Sequence, residues 1–138
     1  PRITNFTDFV PLSGFDSIRL SYVSGGSIGD ADIVIIPGSE NPKESMDFIR
    51  SRGWDKEISV LYKNGAAILG RGSSFPLLGQ SFTTTFDTDD SSVNGLGLLN
   101  THIKLLETEP KCVSGKVASG LTYTADILSN VPVEGYRI

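Results

Sequence analysis

Four residue types that often carry chemistry or pack cores are nearly missing from this 138-residue chain, which has one cysteine, one histidine, one methionine and one tryptophan. The lone Cys112 has no internal disulfide partner, so a reducing, cytoplasmic setting is expected. One Cys and one His cannot build a zinc site, so no metal is expected in this domain. No apolar run approaches the ~20 residues that a bilayer-crossing helix needs, and no charged-then-apolar leader opens the chain. No membrane partner is expected. Basic residues number 12 against 16 acidic ones, for a net charge of −4. That is the wrong sign for gripping a phosphate backbone, so no nucleic acid is expected either.

Several signatures are also missing. There is no internal repeat, and no Gly-x-x-x-x-Gly-Lys-Ser/Thr loop to cradle a triphosphate. Gly95-Leu96-Gly97 stops short of a dinucleotide fingerprint, because Asn100 stands where the third glycine belongs. Asp87, Asp89 and Asp90 cluster without the glycine and closing glutamate of a calcium loop, and read as a solvated acidic loop. Asn5-Phe6-Thr7 matches a glycosylation acceptor, a triplet that carries little weight without a secretory leader.

What is present suffices for one ordinary domain: 38% hydrophobic and 20% charged residues, with glycine and proline below the low-complexity range. Residues 2–6 (RITNF) and 16–23 (DSIRLSYV) read as short strands. Residues 31–36 (ADIVII) form a continuous apolar, β-branched run stopped by Pro37-Gly38, as in a strand buried on both faces of a parallel sheet. A helix start follows, with Asn41 as N-cap, Pro42 at the first helical position and Glu44 three residues after the cap. This helix should end near Arg52-Gly53. A second one spans about 54–64, with Trp54, Ile58, Leu61 and Tyr62 at helical spacing and Gly65 just beyond. Residues 66–69 (AAIL) predict another buried strand, running into the tight Gly70-Arg71-Gly72-Ser73-Ser74. Strand, helix, strand, turn, helix is the grammar of an α/β sheet.

The second half is more polar. Residues 81–94 predict a surface loop with one short strand, 101–106 and 112–117 predict strands joined by a turn over 107–111, and 123–127 fits either strand or helix. Residues 135–138 look like a strand in which the chain stops, as expected of an excerpt from a longer protein or of a missing end.

Four stretches line up with one family: 2–9 (RITNFTDF), 32–41 (DIVIIPGSEN), 68–70 (ILG) with 77–79 (LLG), and 95–99 (GLGLL) with 133–138 (VEGYRI). In this order and at these separations they resemble the C-terminal glutaminase domain of the cobyric acid synthase family, a class I glutamine amidotransferase of cobalamin biosynthesis. The resemblance runs from end to end. It implies a flavodoxin-like α/β domain with a mainly parallel central sheet and extra strands in the second half. It also implies a single domain over 1–138, normally fused behind a synthetase domain that this chain lacks. Glutamine would be the substrate. The ammonia released would pass to the synthetase domain, where ATP and magnesium activate the carboxylates of a corrinoid.

The family's chemistry needs a cysteine on a sharp strand-to-helix turn, backbone N–H groups for the oxyanion and a histidine to move the proton. The family's turn has the form small-aliphatic, Gly, x, Cys, Gly, Gly, aromatic, x, x, Leu, Gly. Here the matching stretch is Leu69-Gly70-Arg71-Gly72-Ser73-Ser74-Phe75-Pro76-Leu77-Leu78-Gly79. Gly72 stands at the nucleophile position, so glutaminase activity by this route is not expected. The family's histidine directly follows the motif that here reads Glu134-Gly135-Tyr136-Arg137-Ile138, at which point the sequence stops.

No other side chain replaces these two convincingly. Ser73 lacks a Gly-x-Ser-x-Gly setting, and Ser73 and Ser74 read as caps of the following helix. Cys112 reads as a small buried hydrophobe on a strand, and His102 as part of a solvated strand face. The turn at Pro37-Gly38-Ser39 has two readings. By the resemblance, Gly38 and Ser39 supply backbone N–H groups to the oxyanion. By local residues alone they form a plain turn before a capped helix. Two functions follow. One is a glutaminase domain with a disabled elbow, and the other is a non-catalytic amidotransferase fold kept for interaction or for conducting ammonia. A cysteine codon at position 72 in the parent gene would support the first, and a glycine codon the second.

Overall fold

A computed structural model of the chain describes residues 6–84, 92–106, 109, 111–117 and 130–137. They fall into two compact units, Pro1–Leu105 and Leu106–Ile138. In the first, a 3-10 helix over Phe6–Gly14 precedes β1 (Ile33–Ile36), α1 (Pro42–Ser51), α2 (Trp54–Lys63) and β2 (Ala67–Gly70). A second 3-10 helix, Gly72–Leu78, leads to β3 (Ser81–Thr84), β4 (Val93–Asn94) and β5 (His102–Leu105). The second unit is the antiparallel pair β6 (Lys111–Lys116) and β7 (Pro132–Arg137).

The helix signals act as the residues predict. Asn41 sits in extended conformation, and its side-chain carbonyl accepts from the N–H groups of Lys43 at 3.0 Å and Glu44 at 3.2 Å. Two of the unpaired donors at the start of α1 are thereby satisfied. Pro42, Ser45, Met46 and Ile49 make the buried stripe of α1, the spacing of an amphipathic helix. Gly53 has φ +72° and lets the chain reverse into α2, which buries Trp54 and Ile58. Both helices pack on a core of Ile36, Met46, Ile49, Trp54, Ile58, Leu77, Leu78 and Phe82.

β1 and β2 pair in parallel, Ile33 opposite Ala67 and Ile36 opposite Gly70. The expectation of two buried neighbouring strands therefore holds for their pairing but needs correction for their burial. Ile33 is 61% exposed and Leu69 51%. Side chains alternate across a strand, so in this register Ile33, Ile35, Ala67 and Leu69 share one face. The core takes Val34, Ile36 and Ile68 from the other.

A mainly parallel central sheet is likewise not what the described strands form. They make three small sheets, β1-β2, β4-β3-β5 and β6-β7. The β1/β2 and β3/β5 ladders are parallel, while β3/β4 and β6/β7 are antiparallel. Strands of four residues or fewer in the first unit, with a 3-10 helix between β2 and β3, leave the two parallel ladders as separate sheets. The strand expected over 16–23 is also absent, since those residues adopt no regular structure. Alternation without a ladder partner does not make a strand. The segment that follows is instead tied to α2. Trp54 donates its indole N–H to the Gly26 carbonyl at 2.7 Å, and the Glu57 carboxylate accepts from Ile28 N–H at 2.7 Å and Ser27 Oγ at 2.9 Å.

The 81–94 stretch holds β3 and β4 rather than a single strand, with 85–91 outside the described residues. Residues 2–5, most of the 107–111 turn, 123–127, Ile138 and the aspartates 87, 89 and 90 also lie outside them. Cys112 is exposed on β6 rather than buried, because every described residue of β6 faces solvent.

Two resemblance motifs meet at one close approach. The backbone N–H groups of Leu96, Gly97 and Leu98 donate to the carbonyls of Leu77, Gly79 and Leu78 at 2.7, 2.9 and 2.9 Å. A Cβ on Gly95 would lie 2.2 Å from the Gly79 carbonyl oxygen and 2.8 Å from that of Leu77. Gly95→Ala should therefore destabilise by about 3 kcal/mol or more, since backbone must shift to admit the methyl. Phe82, 1% exposed, should cost ~3–5 kcal/mol on truncation to Ala. Urea unfolding of the two variants checks both values.

Candidate functional site

Parallel pairing brings the carboxyl ends of β1 and β2 side by side, which is where open α/β folds place ligands. β1 ends in Pro37-Gly38-Ser39 and β2 ends in Gly70-Arg71-Gly72. The Arg71 N–H donates to the Ile36 carbonyl at 3.0 Å, carrying the register one residue beyond β2. Two turns that are 33 residues apart in sequence are thus neighbours.

Gly72 sits at the apex of the second turn with φ +57°, the left-handed region that L side chains rarely adopt. A Cβ built there meets nothing within 4 Å. The position is therefore left-handed and open, at the junction between β2 and the 3-10 helix that follows. Two residues back the space closes, because a Cβ on Gly70 would lie 2.9 Å from the Ser74 carbonyl oxygen and 3.1 Å from Leu78. Glycine at 70 is a packing requirement, whereas glycine at 72 is required by backbone conformation alone.

The serines after the apex do not cap the helix, contrary to the reading from local sequence. Arg71 occupies the cap position and makes no side-chain cap bond. The Ser73 hydroxyl instead reaches the first turn, donating to the Ser39 carbonyl at 2.6 Å and accepting from the Ser39 N–H at 2.9 Å. Ser74, fully buried, donates its hydroxyl to the Pro37 carbonyl at 2.5 Å. The Ser39 hydroxyl in turn lies 2.5 Å from that of Ser45, which donates to the Asn41 carbonyl at 2.9 Å. No buried side-chain nitrogen or oxygen among the described residues lacks a partner. A chain of serine hydroxyls therefore sews the two turns together.

Arg71, which the sequence left without a role, forms an ion pair with Asp8 at 2.5 Å. This ties the first 3-10 helix, and with it the described end of the RITNFTDF stretch, to the elbow. The structure thus brings Gly38, Ser39, Gly72 and Ser73 into one locus. His102 is not part of it. This side chain stands exposed on β5, with Nδ1 2.8 Å from the Ser81 hydroxyl of the adjoining strand. The Ser73–Ser39 bonds had no sequence signal beyond two serines where the family's turn carries glycines. No group of three or more His, Cys, Asp or Glu among the described residues is placed to hold a metal ion, and no described helix is long and apolar enough to cross a membrane.

Two strand-end turns joined by serine hydroxyls thus form the candidate site, and comparison with known proteins gives the family. A CobB/CobQ-like glutamine amidotransferase domain matches residues 1–138, and the chain belongs to that family. It is 35% identical over 143 residues to the cobyric acid synthase of Thermoanaerobacter sp. (strain X514), covering 100% of this chain and 28% of that protein. It is 34% identical over 142 residues to that of Brucella anthropi, with the same coverages. Identity to that of Vibrio parahaemolyticus is 36% over 144 residues, covering 99% of this chain and 28% of the relative. The chain thus spans between a quarter and a third of the length of these curated relatives. No solved structure matches it significantly.

Two variants test the elbow's geometry. Gly72→Cys should fold without steric conflict and lose ~1–2 kcal/mol to its left-handed backbone. Asp8→Asn should lose less than ~1 kcal/mol, because Arg71 is about half exposed and water screens the pair. Urea midpoints measured side by side check the order.

Proposed function

We propose that this chain is the glutaminase-type domain of a cobyric acid synthase-like, ATP-dependent amidoligase, and that Gly72 leaves it unable to hydrolyse glutamine. The observation that carries the reading is the left-handed, unobstructed apex at Gly72, lying where the family's turn places its cysteine. A glycine there offers no atom to attack the side-chain amide of glutamine, so no thioester can form. Gly38 and Ser39 are the residues proposed to face a developing oxyanion, with the backbone around Ser73. The flavodoxin-like arrangement is proposed for the parallel ladders alone. In the parent protein, a cytoplasmic ligase in this reading, ammonia from glutamine would pass to a fused or associated synthetase domain. ATP and magnesium would serve there in amidating corrinoid carboxylates.

A second reading is favoured by one observation. The hydroxyls of Ser73 and Ser74 bridge the two turns where glycines would leave room. That suits a non-catalytic amidotransferase fold kept as an interaction or ammonia-conducting module. Under either reading, glutamate release from glutamine by the full chain should stay at the no-protein background. A thiol-alkylating glutamine analogue should leave the exposed Cys112 no more labelled than a small generic alkylator does. Release above background that such an analogue blocks would overturn the proposed inactivity, and preferential labelling of Cys112 would move the active thiol to β6.

A further inference from the structure

The substitution at position 72 is not the only obstacle at the elbow. The backbone N–H of Ser39 points from the first turn toward the second, and a preorganised donor so placed can hold an oxyanion. That N–H is already engaged by the Ser73 hydroxyl at 2.9 Å. The same hydroxyl spends its own proton on the Ser39 carbonyl at 2.6 Å. One side chain therefore satisfies both backbone polar groups of residue Ser39 and rests on the donor a substrate oxygen would use. Ser39 is buried and Ser73 half-buried, so water competes poorly for these bonds. Ser74 adds a second tether, fully buried, from the other side of the turn. A glycine at 73 or 74 could make neither contact.

We infer that Ser73 is a built-in occupant of the oxyanion position, closing the elbow to a substrate carbonyl independently of the missing thiol. The inference rests on the elbow reading proposed above. Restoring cysteine at position 72 then supplies a nucleophile but leaves the Ser39 N–H engaged and unable to hold the tetrahedral oxyanion. Removing the Ser73 hydroxyl frees the Ser39 N–H for that task.

The test uses the full chain with Cys112→Ser, so that an introduced thiol is the sole thiol present. Gly72→Cys is compared with Gly72→Cys/Ser73→Gly against two alkylators. Iodoacetamide reacts by direct displacement: the thiolate sulfur bonds to the methylene carbon, iodide leaves with the electron pair, and the thiol proton goes to buffer. No oxyanion develops. The chloromethyl ketone analogue of glutamine gives the same kind of thioether with loss of chloride, but its carbonyl oxygen gains charge that an N–H donor can stabilise. The expected result is a rise of tenfold or more in the ratio of chloroketone to iodoacetamide labelling rates when Ser73 becomes glycine, read by intact-protein mass.

Labelling by both reagents at a ratio indifferent to residue 73 would overturn the occupant and leave the elbow intact. No labelling of the introduced thiol by either reagent would overturn the elbow reading and the occupant with it. Amide hydrogen exchange gives a measure that needs no new thiol. In otherwise unaltered chain, Ser73→Ala should speed exchange at Ser39 at least tenfold while the α1 amides keep their protection. Unchanged exchange at Ser39 would also sink the inference.

Discussion

Pairing of β1 with β2 in parallel, Ile33 against Ala67, is the constraint on which the site depends. Parallel strands cannot be joined by a tight turn, so the connection must be long, and α1 and α2 fill it. The same pairing obliges both strands to leave the ladder at one end. The Pro37–Ser39 turn and the Gly70–Gly72 turn are then adjacent for the same reason that the helices cover one face. Had the pairing been antiparallel, the two turns would lie at opposite ends and the Ser39–Ser73 bonds could not form.

Packing turns this placement into a rigid one. The second 3-10 helix contributes Leu77 and Leu78 to the core beside Met46, Ile49 and Phe82. Its end is fastened to Leu96, Gly97 and Leu98 through backbone bonds. Close approach at Gly70, Gly79 and Gly95 leaves no room for a methyl group. Glycine at these three positions acts through contact, in contrast to Gly72, where space is open and only φ restricts the residue. The conformation of this turn is thus set by its neighbours' packing as well as by the glycine at 72.

The serines show how buried hydroxyls can hold two turns together. Buried polar atoms are costly unless paired, and Ser39, Ser45 and Ser74 are buried. Each has a partner within hydrogen-bond reach. The Ser73 and Ser74 hydroxyls bond to backbone of the Pro37–Ser39 turn and so stabilise the turn pair. Arg71 and Asp8 add an exposed electrostatic tie to the N-terminal 3-10 helix, modest in free energy for a solvent-screened pair.

Local chemistry was legible in the sequence wherever a residue acts on its own neighbours. Asn41, Pro42 and Glu44 announce the start of α1, Gly53 the reversal into α2 and Gly65 the exit from it, because caps and left-handed residues need only a few adjacent atoms. The apolar runs likewise marked β1 and β2. What the sequence could not determine was which strands find partners, which faces stay uncovered and where a hydroxyl points. The 16–23 run alternates like a strand but has no ladder, and Ile33 and Leu69 read as core but face outward. Cys112 lies exposed on β6. Ser73 and Ser74 looked like caps but bond to a turn more than thirty residues away. Those outcomes depend on contacts between distant segments, and such contacts exist only once the tertiary structure has brought the segments together.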